Sequence, residues 1–246
     1  MSWEGLLLSS PLEQLHHNLV VSCQADQGMP LRHPDHLVAL AKTVVLGGAA
    51  GLRVEGVEVI ASVKRALPDV PLIGLIKDGP AGRVFITPTL DHVRQALDAG
   101  ADIVAVDGTT RSRPDGRSLR ESVDLIHHRG RLCLGDIADE GDAIYAVESG
   151  VDAIATTLYG YTEETISQDT PPYSLLTKLV GQLDWPIIAE GHIRSPEDLR
   201  RVIDTGIYCA IVGTAITRPE VITKWFRSVL DDRRSLSGTK DTHLTE

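Results

Sequence analysis

Aromatic side chains are scarce, at 4% of 246 residues, so the core of this chain must be aliphatic. Cysteine is scarcer still. Cys23, Cys133 and Cys209 each lie inside an apolar run, which excludes a disulfide framework and reads as three small buried hydrophobes in a reducing cytoplasm. The N-terminal stretch Met1 to Ser10 holds one Leu6-Leu7-Leu8 run, preceded by acidic Glu4 and lacking a basic flank, so neither a signal peptide nor a membrane anchor is expected there. Basic patches are missing too. A formal charge of −10 repels nucleic acid and anionic lipid over most of the surface, so neither is expected as a partner. A small phosphorylated ligand stays compatible, because a few oriented N–H groups and one or two Arg side chains suffice inside a cleft. No His/Cys cluster has metal-ligand spacing, so no metal is expected.

What is present is an ordinary soluble-enzyme composition, 42% hydrophobic and 24% charged, over a length that matches an eightfold βα barrel. Short apolar runs rich in β-branched residues alternate with stretches of helical spacing, which implies parallel strands joined by crossover helices. Eight strands are counted, ending near Gln24, Arg53, Lys77, Asp107, Asp136, Thr157, Glu190 and Gly213. Helix starts are marked by Thr89, by Ser118 with Glu121 three residues on, and by Ser195-Pro196-Glu197. Gly48, Gly100, Gly150 and Gly206 each join a helix end to an apolar strand and are spaced 52, 50 and 56 residues apart. A period near fifty is two βα units, so the plan repeats fourfold and closes into a ring. An open doubly wound sheet would bind a nucleotide after its first strand, but Gln24-Ala25-Asp26-Gln27-Gly28 there is neither a Gly-x-Gly-x-x-Gly nor a Walker loop. The expected fold is therefore α/β, a (β/α)8 TIM barrel of the phosphate-binding type, with residues 1–235 as one domain and 236–246 as a disordered polar tail.

The active site of such a barrel lies at the C-terminal mouth. Strands 1, 3, 5 and 7 end in Gln24, Lys77, Asp136 and Glu190, and alternate strands feed one layer, so these four form a polar ring above the core. Strands 3 and 7 face each other across an eight-membered ring. Lys77 and Glu190 then flank a bound ligand, an arrangement suited to inverting a carbon next to a carbonyl. Desolvation after the Ile73-Gly74-Leu75-Ile76 run would lower the pKa of Lys77 toward that of a working base. Gly191 after strand 7, and Gly213 with Thr214 after strand 8, sit where phosphate-binding barrels hold their anion. Arg218 just beyond, and Arg53 at the end of strand 2, can add charge-assisted bonds. His192 shares the phosphate loop, while His16, His17, His127 and His128 read as solvated residues in or beside helices. Arg111 to Gly116 form a charged, turn-rich rim after Asp107.

Seven segments in order, Val21-Ser22-Cys23-Gln24-Ala25, Gly74-Leu75-Ile76-Lys77, Ile86-Thr87-Pro88-Thr89, Arg113-Pro114-Asp115-Gly116, Gly160-Tyr161-Thr162, Ile188-Ala189-Glu190-Gly191 and Val212 to Pro219, give the chain a family likeness. It resembles the N-acetylmannosamine-6-phosphate 2-epimerases of sialic acid catabolism. The resemblance implies Lys77 and Glu190 as acid/base residues. It implies substrate contacts from Gln24, Arg53, Asp136 and Arg218, and phosphate held by Gly191, Gly213 and Thr214. It further implies interconversion of N-acetylmannosamine 6-phosphate and N-acetylglucosamine 6-phosphate at C2 of the open-chain aldehyde, with no cofactor. The family often has a basic residue after the lysine, where this chain has Asp78, and a smaller residue at Tyr159. The alternatives are a metal-assisted sugar-phosphate lyase or decarboxylase, an aldolase acting through a Lys77 Schiff base, and a catalytically inactive sugar-phosphate binding protein. The lyases carry Asp-x-Lys at strand 3, and position 75 here is Leu. The oligomeric state is left open, with a homodimer admitted.

Overall fold

In the computed structural model, residues 9–80 and 83–238 are described, with side chains to Asp231. The expectation for Met1 to Ser10 therefore falls largely outside the described residues. The chain runs β1 (Leu19–Cys23), α1 (Pro34–Leu46), β2 (Gly51–Glu55), α2 (Val57–Ala66), β3 (Leu72–Leu75), α3 (Leu90–Asp98), β4 (Ile103–Asp107) and α4 (Leu119–His128). It continues through β5 (Leu132–Asp136), α5 (Glu140–Glu148), β6 (Ala153–Ala155), α6 (Tyr173–Gln182), β7 (Ile187–Glu190), α7 (Pro196–Ile203), β8 (Cys209–Val212), a short α8 (Thr214–Thr217) and α9 (Pro219–Gly238). Each strand pairs in parallel with the next, and β1 closes the ring on β8 through Leu19–Ala210, Val20–Ile211 and Val21–Val212. This is the eight-stranded barrel expected. Among the described residues no helix is long and apolar enough to cross a membrane.

Period-two alternation along each strand divides the core in two. Val20, Ile73, Leu75, Ile103, Ala105, Leu134, Ala153, Ala155, Ile188, Cys209 and Ile211 fill the barrel, and Leu15 joins them from the segment before β1. Their neighbours in sequence, such as Val21, Leu52, Val54, Val104 and Val106, pack outward against the helices. The cysteines are buried and free. Burial pushes the Cys23 and Cys209 thiols up to about 12, so both behave as packing groups rather than nucleophiles.

Local signals set the ends of the helices. Thr89 accepts from the His92 amide and Ser195 from the Asp198 amide, and Ser118 with Glu121 forms a reciprocal capping box. Gly48, Gly100 and Gly150 take the left-handed conformation one residue past a helix cap, with φ of 100°, 99° and 91°. Gly206 does so one residue later. At the other end of the chain α9 continues to Gly238, three residues into the segment read as a tail, and 239–246 lie outside the described residues.

Gly74 is needed for space. A Cβ there would lie 2.7 Å from Ala101 Cβ and 3.0 Å from Ile60 Cδ1, so β3 can approach its covering helix only without a side chain. Gly74→Ala is expected to cost about 1–3 kcal/mol through overpacking. Urea unfolding at constant far-UV circular dichroism checks this, and an unchanged midpoint would mean that Ala101 and Ile60 yield freely.

Candidate active site

Two residues beyond an inward-facing position, a strand again points inward. Lys77 stands two residues beyond Leu75, Asp136 beyond Leu134, Thr157 beyond Ala155 and Glu190 beyond Ile188, and all four lower residues belong to the barrel interior. The mouth above them is a cavity of about 510 Å³, within the range of small-ligand sites. Gln24, Arg53, Lys77, Glu190, Gly191, Gly213, Thr214 and Arg218 all line it. The sequence reading thus converges on one place, with two corrections of position.

Arg53 does not end its strand. β2 continues to Glu55, which puts Arg53 one inward position lower, with only 1% of its surface exposed. Asp136, expected to touch ligand, is fully buried and lies outside the cavity lining. The two meet inside the barrel. Arg53 Nη1 and Nη2 donate to Asp136 Oδ1 and Oδ2 at 3.0 and 2.6 Å, and Nη1 lies 3.3 Å from Glu190 Oε2. Burial disfavours the guanidinium charge, but Asp136 and Glu190 outweigh it and hold the pKa of Arg53 above its ordinary value.

Glu190 is pushed above the usual carboxylate range by burial and by the neighbouring Asp136, against the pull of Arg53 and Lys77. Thr157 bears on which carboxyl holds the proton. Its Oγ lies 2.6 Å from Asp136 Oδ1 and 3.0 Å from Glu190 Oε2. One hydroxyl proton serves one acceptor, so the second contact becomes a hydrogen bond only when that carboxyl brings its own proton. As a donor Thr157 would pull Glu190 down, but the shorter contact commits its proton to Asp136. Thr156 fixes the backbone of Glu190, accepting from its amide at 3.1 Å and donating to its carbonyl at 2.8 Å.

Lys77 is open to the cavity by surface area, yet protein walls surround it. The walls matter more for its hydration than the open side. Its pKa is lowered, first by desolvation and then by the Arg53 charge, with Glu55, Glu190 and Asp26 opposing. A depressed amine and a raised carboxyl on opposed strands are poised to exchange protons with a substrate.

The rim holds what the sequence missed or left open. Arg218 is engaged by Asp26 and, through Nε at 2.9 Å, by Glu220, so an anion must compete for it. Gln24 donates to Ser22 Oγ at 2.9 Å. His192 lines the mouth with φ of 58°, its Nε2 3.1 Å from the Tyr159 carbonyl and its ring stacked on Tyr161. A Cβ at Gly160 would stand 2.5 Å from that nitrogen, which explains the glycine. Tyr161 and Thr157 had a detectable signal, since both adjoin the apolar run that ends strand 6. Asp26, Arg194 and Trp225, also in the lining, had none.

Comparison with known proteins follows this geometry. Residues 37–232 match the family model described as "Putative N-acetylmannosamine-6-phosphate epimerase". A Cutibacterium acnes protein of the description "Putative N-acetylmannosamine-6-phosphate 2-epimerase" is 45% identical over 215 residues, covering 86% of this chain and 93% of its own. A Clostridioides difficile protein of the same description is 39% identical over 221 residues, covering 89% and 99%. The solved N-acetylmannosamine-6-phosphate 2-epimerase from Clostridium perfringens superposes with a TM-score of 0.85 at 38% identity, covering 89% of this chain and 95% of that one.

The lowered pKa of Lys77 has a consequence for stability. Between its folded value and about 10.4 the unfolded chain binds a proton that the folded chain does not, so stability rises with pH through that window and carries the full penalty below it. Lys77→Met removes the penalty. Urea titrations from pH 6 to 10 should find the variant at least as stable as wild type at neutral pH, with a flatter pH profile, whereas lower stability at neutral pH would contradict the shift.

Proposed function

This chain belongs to the N-acetylmannosamine-6-phosphate epimerase family, and we propose from that premise that its barrel mouth interconverts N-acetylmannosamine 6-phosphate and N-acetylglucosamine 6-phosphate. The observation that carries the reading is that Lys77 and Glu190 line one cavity from β3 and β7, four strands apart in a closed ring of eight.

In the open-chain aldehyde the proton on C2 is acidic because the resulting charge delocalises onto the carbonyl oxygen. The free amine of Lys77 takes that proton from one face, leaving a planar C1–C2 enolate. Glu190 returns its own proton to the other face, and the C2 configuration inverts. The ammonium and carboxylate so formed reset by exchange with water at the open mouth. Arg53 and Asp136 act from below: Asp136 holds Arg53, and Arg53 faces both the cavity and Glu190. Gln24 at the wall is placed to take a sugar hydroxyl.

The phosphate is assigned to Gly191, Gly213 and Thr214 with Arg218. The first turn of α8 has no side-chain cap, which leaves its N–H groups for an anion, and Arg218 would leave Asp26 to meet it. The lyase alternative loses support at Leu75, a fully buried barrel residue at the position of the Asp in the Asp-x-Lys pattern of those enzymes. Buried free thiols fit a cytoplasmic enzyme.

NMR of N-acetylmannosamine 6-phosphate with enzyme in deuterated water tests the reading. The product should carry deuterium at C2, and Lys77→Ala should lower turnover by about a hundredfold or more. Turnover surviving that change would remove Lys77 from the mechanism. Arg218→Ala should instead raise KM about 10- to 100-fold, the worth of a charge-assisted bond, with kcat changing less.

A further inference from the structure

Lys77 stands beyond the support of the barrel. The pairing of β3 with β4 ends at Gly74–Val104, and β3 itself ends at Leu75. What holds Lys77 is a returning segment: Lys77 forms an isolated antiparallel bridge with Ile86, and the Asp78 amide donates to the Phe85 carbonyl at 3.0 Å. On its far side the segment reaches β4, where the Asp107 amide donates to the Ile86 carbonyl at 2.9 Å. Residues 85–87 thus fill the gap left where two strands diverge.

Thr87 is the pivot of this wedge, and every polar atom it has is used. Its amide donates to the Ile76 carbonyl at 2.7 Å, and its Oγ accepts from the Ile76 amide at 3.2 Å and donates to the Ala105 carbonyl at 2.6 Å. Its own carbonyl accepts from Arg113 Nη2 at 3.0 Å. It is fully buried and holds a φ of 44°, a conformation that a β-branched residue adopts only under constraint.

Arg113 supplies the constraint. Only 7% exposed, it spans from the Thr87 carbonyl to the Asp107 carbonyl, reached by Nη1 at 2.8 Å, and so ties the wedge to the top of β4. Its Nε has no partner, and neither contact is to a carboxylate. Burying a guanidinium whose hydrogen bonds go to two carbonyls is costly, and the nearby charges of Asp107 and Asp115 do not fully offset its desolvation, so the rim loop is more than a solvated connection. A second tie runs beside it, from the Leu90 amide to Asp115 Oδ2 at 2.9 Å.

We propose that Arg113 and Thr87 are positioning residues for Lys77: they lock the wedge that sets where the ε-amine stands, and thereby keep it at the reacting carbon and between the desolvating cavity walls. This rests on Lys77 being the base, as argued above. Without the lock the paired stretches Ile76 to Asp78 and Phe85 to Thr87 lose their anchor on β4, and the amine moves toward water.

Two readouts on the full-length protein test this. Competitive acetylation across pH, read by peptide mass spectrometry, titrates Lys77 against the exposed Lys42 and Lys178; steady-state kinetics gives kcat and KM. In Arg113→Gln the Lys77 midpoint should rise toward that of the exposed lysines. The same variant should lose about ten- to a hundredfold in kcat, the scale of a small misplacement, with KM within about threefold. Arg117→Gln, an exposed change of equal charge in the same loop, should leave both unchanged. Should Arg113→Gln fail to fold, Thr87→Val and Thr87→Ser carry the test: the serine keeps the hydroxyl and wild-type behaviour, and the valine shows the Lys77 shift. An unmoved Lys77 titration in Arg113→Gln or Thr87→Val overturns the proposal even where kcat falls, since a merely structural role would do the same. A wild-type Lys77 titrating with the exposed lysines overturns it too. If wild type places no deuterium at C2 of the sugar, the epimerase reading fails, while the titration still decides the lock.

Discussion

A guanidinium sealed inside a barrel must find negative charge there, and the burial of Arg53 governs how the rest of this site is built. Asp136 answers from β5 with two hydrogen bonds, and Glu190 approaches from β7. The contacts join strands that never pair in the sheet, so they cross the interior and make a polar floor over the aliphatic core. Such a pair adds little net stability over well-packed hydrophobes, and removing one partner would strand a buried charge. Its value lies in electrostatics. The cation discourages a proton on Lys77 and also pulls down Glu190, whose carboxyl is nevertheless raised by burial and by Asp136. The buried Arg53 therefore favours the free amine of Lys77, while it is burial and Asp136, against the arginine, that keep Glu190 raised.

The two members are also held in a similar way. Each lies at the top of a strand whose ladder to the preceding or following strand is only two residue pairs long, β6 with β7 and β3 with β4. In each gap a buried threonine hydroxyl replaces the missing ladder. Thr156 clips both backbone groups of Glu190, and Thr87 clips the residue before Lys77. A hydroxyl both donates and accepts, so one side chain can satisfy two orphaned backbone groups where strands splay apart. The strands splay at these points while Lys77 and Glu190 stay in register.

The likeness to the Clostridium perfringens epimerase covers 89% of this chain, and the two residues that depart from the family resemblance, Asp78 and Tyr159, both lie near the mouth. Asp78 stands next to Lys77, 3.7 Å from His92 Nε2 and far more exposed than that histidine. Tyr159 donates to Gln168 at 3.0 Å and offers its carbonyl to His192. Neither residue enters the buried charge network of Arg53, Asp136 and Glu190.

Strand number, order and the identity of the polar strand-end residues were legible in the primary structure, because period-two burial and helix caps are local physics that neighbouring residues impose on one another. So was the convergence of Gln24, Lys77, Glu190, Gly191, Gly213 and Arg218 on one mouth, once eight strands implied a ring. Depth was not legible. Two further residues of β2 set Arg53 at the bottom of the mouth, and the ion pair drew Asp136 under the floor, since strand length and interior charge pairing are set by partners distant in sequence, 83 residues away for Asp136. Nor did any local pattern announce that the loop at Arg113 reaches back to Thr87, because a hydrogen bond between residues 26 apart leaves no periodic trace. The amino-acid order settled which groups are available and which way each strand faces; only the closed barrel decided which of them line the cavity and which hold the others in place, because those contacts join strands far apart in the chain.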